Sequence, residues 1–223
     1  MRQTVLVLLL AAGIAAAWLW WEGRQWGPSA ATYADQGAYL TDAAGEVNFT
    51  TLSAIGADFV YLRGSIGGAG KDPAFARNFE EAVAAGIPTG VVHAFDPCVP
   101  ADEQSANFVV MVPRDAQLLP AAIELDRLAD DCPRRVSEAA VESELITLIN
   151  QVEIHTGSPV LLKPSKAFER RYPITAGFER NLWLEQDWLE PDYAGRPWLM
   201  WTANDGLKTE ASNEPLAWVV VRP

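Results

Sequence analysis

The sequence predicts an α/β barrel that opens with strand–helix units and finishes on plain strands. Three observations carry this. From residue 58 to residue 172, β-rich stretches alternate with helical ones at the spacing of βαβ units, which implies a parallel sheet. Beyond them, Asn181–Leu184, Trp198–Ala203 and Ala217–Val221 are strand-like with little helix between. A doubly wound open sheet is the alternative, but no GxGxxG follows a first strand; Gly64, Gly67, Gly68 and Gly70 have another spacing and read as a turn.

The elements follow in order. Asp58–Ser65 is rich in β-formers and runs into the glycine-rich turn Ile66–Gly70. Asp72–Gly86 is helical: Pro73 suits an early position, Phe75, Phe79 and Val83 recur every fourth residue, and Gly86 suits the C-terminal cap. Thr89–Phe95 is a strand, Glu103–Met111 a short helix, and Ala121–Asp126 a strand. Ser137–Thr156 is a long helix, Pro159–Leu162 a strand, and Ser165–Tyr172 a short helix or turn. No internal repeat or low-complexity segment is evident.

The N-terminus has a different character. From Thr4 to Trp21 there is no charge, and a helix of about 18 residues spans about 27 Å, close to a bilayer core of ~30 Å. Trp18, Trp20 and Trp21 stand where an aromatic belt meets headgroups, which favours an uncleaved anchor. Ala15-Ala16-Ala17 also fits a signal-peptide cleavage site. Both readings send the rest of the chain across an inner membrane, into the periplasm or outside; cleavage after Ala17 secretes it. A buried core helix is the third reading. The chain thus divides into an anchor or signal at 1–21, a linker at 22–35 and one domain at 36–223, large enough for a full core.

The net charge of -12 argues against a nucleic-acid partner, which needs cations to neutralise phosphates. Cys98 and Cys132 are the two cysteines. In an oxidising compartment an even pair suggests a disulfide; free buried thiols and a metal site are the alternatives. The metal reading is the weakest, since there is no CxxC and His93 and His155 stand far apart. No Ser/His/Asp set, phosphate loop or HExxH occurs, and no cofactor is called for.

The stretch Leu119–Asp126 (LPAAIELD) carries the chemistry. In a strand alternate residues share a face, so Ala122, Glu124 and Asp126 point into the barrel while Ala121, Ile123 and Leu125 point toward helices. Two carboxylates on one interior face, at the C-terminal end of a barrel strand, are where such folds keep their sites. They repel, so one is expected to hold a proton, as in a glycosidase. The plainer reading has Glu124 pairing with a basic residue such as Arg63 and Asp126 capping a loop. Arg63 and Tyr61 alternate with Val60 and Leu62 and face the mouth; Arg63 then binds sugar or neutralises the carboxylates. His93 is a rim candidate or a satisfied core histidine. Among the tryptophans, Trp183 and Trp201 are the first candidates to stack on sugar, although most tryptophans are core.

Several stretches together resemble family 25 glycoside hydrolases, the lysozyme-like muramidases. Gln36–Phe49 (QGAYLTDAAGEVNF) is similar to a worn GIDVSxxQGxIDW. Gly56–Asn78 carries DPxFxxN after a glycine-rich turn, and Gly86–Phe95 (GIPTGVVHAF) resembles AGxxxGxYHFF. Gln117–Asp126 resembles LPPxxDxE, and Trp198–Trp201 (WLMW) resembles the WxxWQY segment. The resemblance implies a modified TIM-like barrel, (βα)5β3, that cuts the β-1,4 bond between N-acetylmuramic acid and N-acetylglucosamine in the peptidoglycan glycan strand. It gives Asp126 the general-acid place and Glu124 that of the assisting carboxylate, with Tyr39, Arg63, His93, Trp183 and Trp201 as substrate-binding candidates. Cys98 and Cys132 sit where a subset of bacterial members carries a pair.

The departures are many. The family's Asp-x-Glu reads Glu124-Leu125-Asp126, so the carboxylates are exchanged. The opening Asp is Tyr39, the Glu of the second-strand turn is Ile66, and the Tyr after the fifth strand is Leu162. Gln-Tyr after the last tryptophan is Thr202-Ala203, and Asp-x-Asn is missing around Ala217–Val219. These losses point to impaired activity, or to an inactive barrel that binds peptidoglycan or an envelope protein.

Overall fold

The computed structural model describes residues 2–23, 25–114 and 117–223, without the side chains of residues 2–8, 19 and 20. Eight strands form a closed ring: β1 (Gln36–Leu40), β2 (Phe59–Ile66), β4 (Thr89–Ala94), β5 (Ala122–Leu125), β6 (Leu161–Pro164), β7 (Asn181–Glu185), β8 (Met200–Leu207) and β9 (Leu216–Val221). A short arm, β3 (Gly70–Lys71), folds back on β2. Pairing is parallel from β1 round to β8. β9 runs antiparallel to both β8 and β1 and closes the ring. Helices α2 (Phe49–Ala54), α3 (Phe75–Ala84), α4 (Ala101–Met111), α5 (Glu138–Thr156) and α6 (Lys166–Arg171) follow the first five ring strands, and none lies between the last three. This is the expected (βα)5β3 order.

Local chemistry explains the units. Ser137 caps α5 through its hydroxyl on the Ala140 amide, and Ser165 caps α6 on Phe168. Val141, Leu145, Leu148, Ile149 and Val152 form the buried stripe of α5 at helical spacing. They pack with Val60, Leu62, Ile123, Leu125 and Leu162, the outward residues of the ring.

A second core fills the lumen: Tyr39, Phe59, Tyr61, Val92, Ala122, Leu161, Trp183, Met200 and Val219. Two glycines make room for it. A Cβ on Gly90 would stand 2.3 Å from the Tyr61 ring, and one on Gly37 2.5 Å from the Phe59 ring. The rings therefore lie flat against neighbouring backbone and plug the lower barrel.

Residues 22–35, expected as a linker, are docked in their described part. Asn204 Nδ2 on β8 donates to the carbonyls of Gly23 (3.1 Å) and Trp26 (2.7 Å). Tyr33 is buried against Trp198 and Trp201, and its hydroxyl donates to Glu190 at 2.6 Å. The backbone of Arg2–Gly23 is one helix, α1. Among the described residues no helix is long and apolar enough to cross a membrane. The side chains of Thr4–Leu8, Leu19 and Trp20, which belong to the expected span, lie outside the described residues, as does Arg24.

Candidate active site at the barrel mouth

Glu124 points into the lumen from the C-terminal end of β5, in register with Lys163 on β6. Lys163 Nζ lies 2.9 Å from Glu124 Oε1 and 2.8 Å from Glu185 Oε2 on β7. The other oxygen of Glu124 accepts the Tyr39 hydroxyl at 3.1 Å. Lys163 also stands 5.2 Å from the Tyr39 ring centre and 5.7 Å from that of Trp183, favourable places for a cation. One ammonium is thus held between two carboxylates above an aromatic floor.

The electrostatics follow. Burial alone would raise the Glu124 pKa, but Lys163, the Tyr39 hydroxyl and the Arg63 charge outweigh it and hold the group below the usual range. Burial would lower Lys163, yet Glu124 and Glu185 keep its proton on more tightly than usual. Burial, reinforced by Glu124, pushes the Tyr39 phenol well up. At neutral pH the cluster is therefore Glu124 carboxylate, Lys163 ammonium and a protonated Tyr39.

Arg63 faces the mouth from β2. Its Nη2 lies 2.8 Å from Asp42 Oδ1 and its Nε 3.2 Å from Asp72 Oδ2. Asp72 is buried and also accepts the amides of Asp42 and Ala74, so it fastens the β1 and β2 loops together. The disulfide Cys98–Cys132 is formed, with Cα atoms 5.3 Å apart, and joins the loops after β4 and β5. Arg127 and Asp96 tie the same two loops at 2.5 Å.

The comparisons with known proteins fit this barrel. The sequence profile of the glycosyl hydrolases family 25 matches residues 40–206. The chain belongs to family 25. Its fold is similar to that of a family 25 glycosyl hydrolase from Bacillus anthracis (TM-score 0.78, 21% identity, 86% of this chain and 90% of that one). It is also similar to a bacterial lysozyme from Streptomyces coelicolor (0.75, 17%, 85% and 92%) and a muramidase from Trichobolus zukalii (0.71, 17%, 85% and 94%). No curated protein matches in sequence.

In this family 25 chain the site residues expected from sequence separate into groups. Tyr39, Arg63 and Glu124 come together at the mouth. Asp126 departs from expectation: β5 ends at Leu125, and Asp126 is exposed, outside the ladder and without a hydrogen bond or ion pair among the described residues. The reason is that both neighbours end. The Phe95 amide closes on Glu124 O as β4 leaves, and the Ser165 amide closes on Leu125 O as the chain turns into α6. No strand remains for Asp126 to pair with.

Three expected positions are corrected. His93 lies on the outer face of β4, fully buried, with Nδ1 2.7 Å from Ser65 Oγ and Nε2 3.2 Å from Gln104 Oε1. It is a satisfied core histidine, and burial lowers its pKa to about 4. Trp201 points outward between β8 and the docked N-terminal segment, packed against Trp26, Tyr33 and Trp198, with Nε1 on Gln186 O. Trp183 faces the lumen but is 0% exposed, edge-on to Tyr39 and Tyr61, and donates to Thr202. It is floor, with no ring face free for sugar. Tyr61 also faces the lumen, but its hydroxyl reaches down to Pro120 O.

Lys163 and Glu185 were not anticipated. The expected strand Pro159–Leu162 stops one residue short of Lys163. Carrying the alternation on from the inward Leu161 places Lys163 inward too.

Proposed function

We propose that this family 25 barrel is a lysozyme-like hydrolase of the peptidoglycan glycan strand with impaired turnover. One observation carries the reading: a carboxylate, Glu124, held in the mouth at the end of β5, with the exposed Asp126 two residues on. Family membership and the similarity to a bacterial lysozyme and a muramidase support the substrate class. In this reading Asp126 protonates the glycosidic oxygen of the β-1,4 bond between N-acetylmuramic acid and N-acetylglucosamine. Glu124 stabilises the oxocarbenium-like centre. One feature slows the reaction: each carboxylate differs by one methylene, ~1.5 Å, from the family pattern, and a misplacement of about 1 Å costs about a hundredfold.

The engagement of both Glu124 oxygens favours a second reading, a barrel that binds peptidoglycan or an envelope protein without cutting it. The test is release of soluble glycan from purified peptidoglycan by the full chain in mild detergent, beside Asp126→Asn. Slow release that Asp126→Asn abolishes supports the hydrolase. Equal release by both proteins removes Asp126 from the mechanism, and retention on peptidoglycan without release supports the binding reading.

We further propose that α1 anchors the barrel in an inner membrane with the domain on the far side, or is removed after Ala17. The uncharged run and its tryptophans support this. Resistance of the full chain to alkaline carbonate extraction tests the anchor.

A further inference from the structure

We infer that Lys163 is a positioning residue that fixes Glu124 as an oriented counter-ion and leaves proton delivery to the exposed Asp126. This rests on the hydrolase reading for its role in turnover, but not for its existence as a clamp.

The geometry carries the inference. Lys163 has almost no exposure, so its ammonium depends on protein partners in place of water. Glu124 and Glu185 supply them from the strands on either side. Glu124, in turn, has one oxygen on Lys163 and the other on Tyr39. Its carboxylate plane is therefore set by groups on β1 and β6, and taking up a proton would cost it the ion pair. A two-carboxyl site in which either group holds the proton becomes one with divided roles. The charged and titratable groups around the pair come from every side: Tyr39 on β1, Arg63 on β2 and Glu185 on β7, with Tyr193 and Asp205 within reach of the Lys163 charge. Arg63 is committed to Asp42 and Asp72, which leaves Lys163 as the cation that touches Glu124.

The experiment follows the Glu124 carboxyl by 13C NMR across pH in the full chain, comparing wild type with Lys163→Gln, Lys163→Arg and Glu185→Gln. Loss of a contacting cation should move the Glu124 midpoint up by about one to three pH units in Lys163→Gln. Lys163→Arg should restore most of it. Glu185→Gln, which gives the Lys163 charge wholly to Glu124, should move the midpoint down. That opposite sign decides the matter if Lys163→Gln fails to fold. Where turnover is measurable, Lys163→Gln should lose rate selectively on the acid side of its pH profile; a merely structural role lowers the rate at every pH alike. An unchanged Glu124 midpoint in a folded Lys163→Gln protein, or an upward shift in Glu185→Gln, overturns the inference. Wild type without turnover overturns the hydrolase reading and leaves the NMR result to judge the clamp.

Discussion

The Tyr39 hydroxyl on β1 donates to Glu124 on β5 across the lumen, at 3.1 Å. These strands are not neighbours in the ring, so the bond ties opposite walls of the mouth. Tyr39→Phe keeps the ring packed against Trp183 and removes only this donor. It should destabilise the fold by about 1–3 kcal/mol, because a partly buried carboxylate loses a partner. Urea unfolding at neutral pH measures it, and an unchanged midpoint would mean that water replaces the hydroxyl.

Acid should weaken the barrel through two different groups. Glu124 has a lowered pKa in the folded state, so its contribution is present above the unfolded value of about 4.3 and is lost as pH falls through the folded value. His93 acts at higher pH. It titrates at about 4 when folded against 6.5 when free, so the unfolded chain takes the proton first. Stability therefore declines as pH drops from about 6.5 toward 4, by about 3 kcal/mol if His93 acts alone. His93→Gln should flatten that window in urea titrations and leave the fall below it in place.

Reducing the Cys98–Cys132 bond releases a loop of 34 residues of separation. The chain-entropy account gives a loss of roughly 3–4 kcal/mol. The double Cys98→Ser, Cys132→Ser protein should show a matching drop in Tm by calorimetry. Its Asp96–Arg127 contact then remains the described ion pair between the two loops.

Gly90→Ala should be among the costlier single-methyl additions. The new Cβ meets the Tyr61 ring, which the lumen has no room to move, and overpacking of this kind costs about 1–3 kcal/mol. Gly56→Ala is the control for space: a Cβ there meets no heavy atom within 4 Å, so its effect reflects the backbone, at φ 103°, alone.

The sequence made the barrel legible wherever one face of an element was polar. α3 was read from its helical spacing and glycine cap, and β2 from its β-formers. β1 was visible only through family resemblance, because all five of its residues are buried and a strand covered on both sides shows no alternation. The same physics hid the parity of β8. With Met200 and Thr202 facing the lumen, Trp201 must face out, yet Met200 to Asn204 are all buried and nothing local sets the register. His93 stayed open between rim and core because its partners, Ser65 and Gln104, lie 28 and 11 residues away in sequence. Lys163 was missed by one residue of strand length. Glu124 was correctly turned inward. Asp126 was not, because the end of β5 depends on where β4 and β6 stop.

Asn204 gives the docked N-terminal segment a mechanical meaning. By gripping the backbone at Gly23 and Trp26, it leaves almost no slack between helix α1 and the ring. The barrel then behaves less like a float on a leash than like a tool on a short handle: whatever holds the helix also sets the angle at which the mouth is presented.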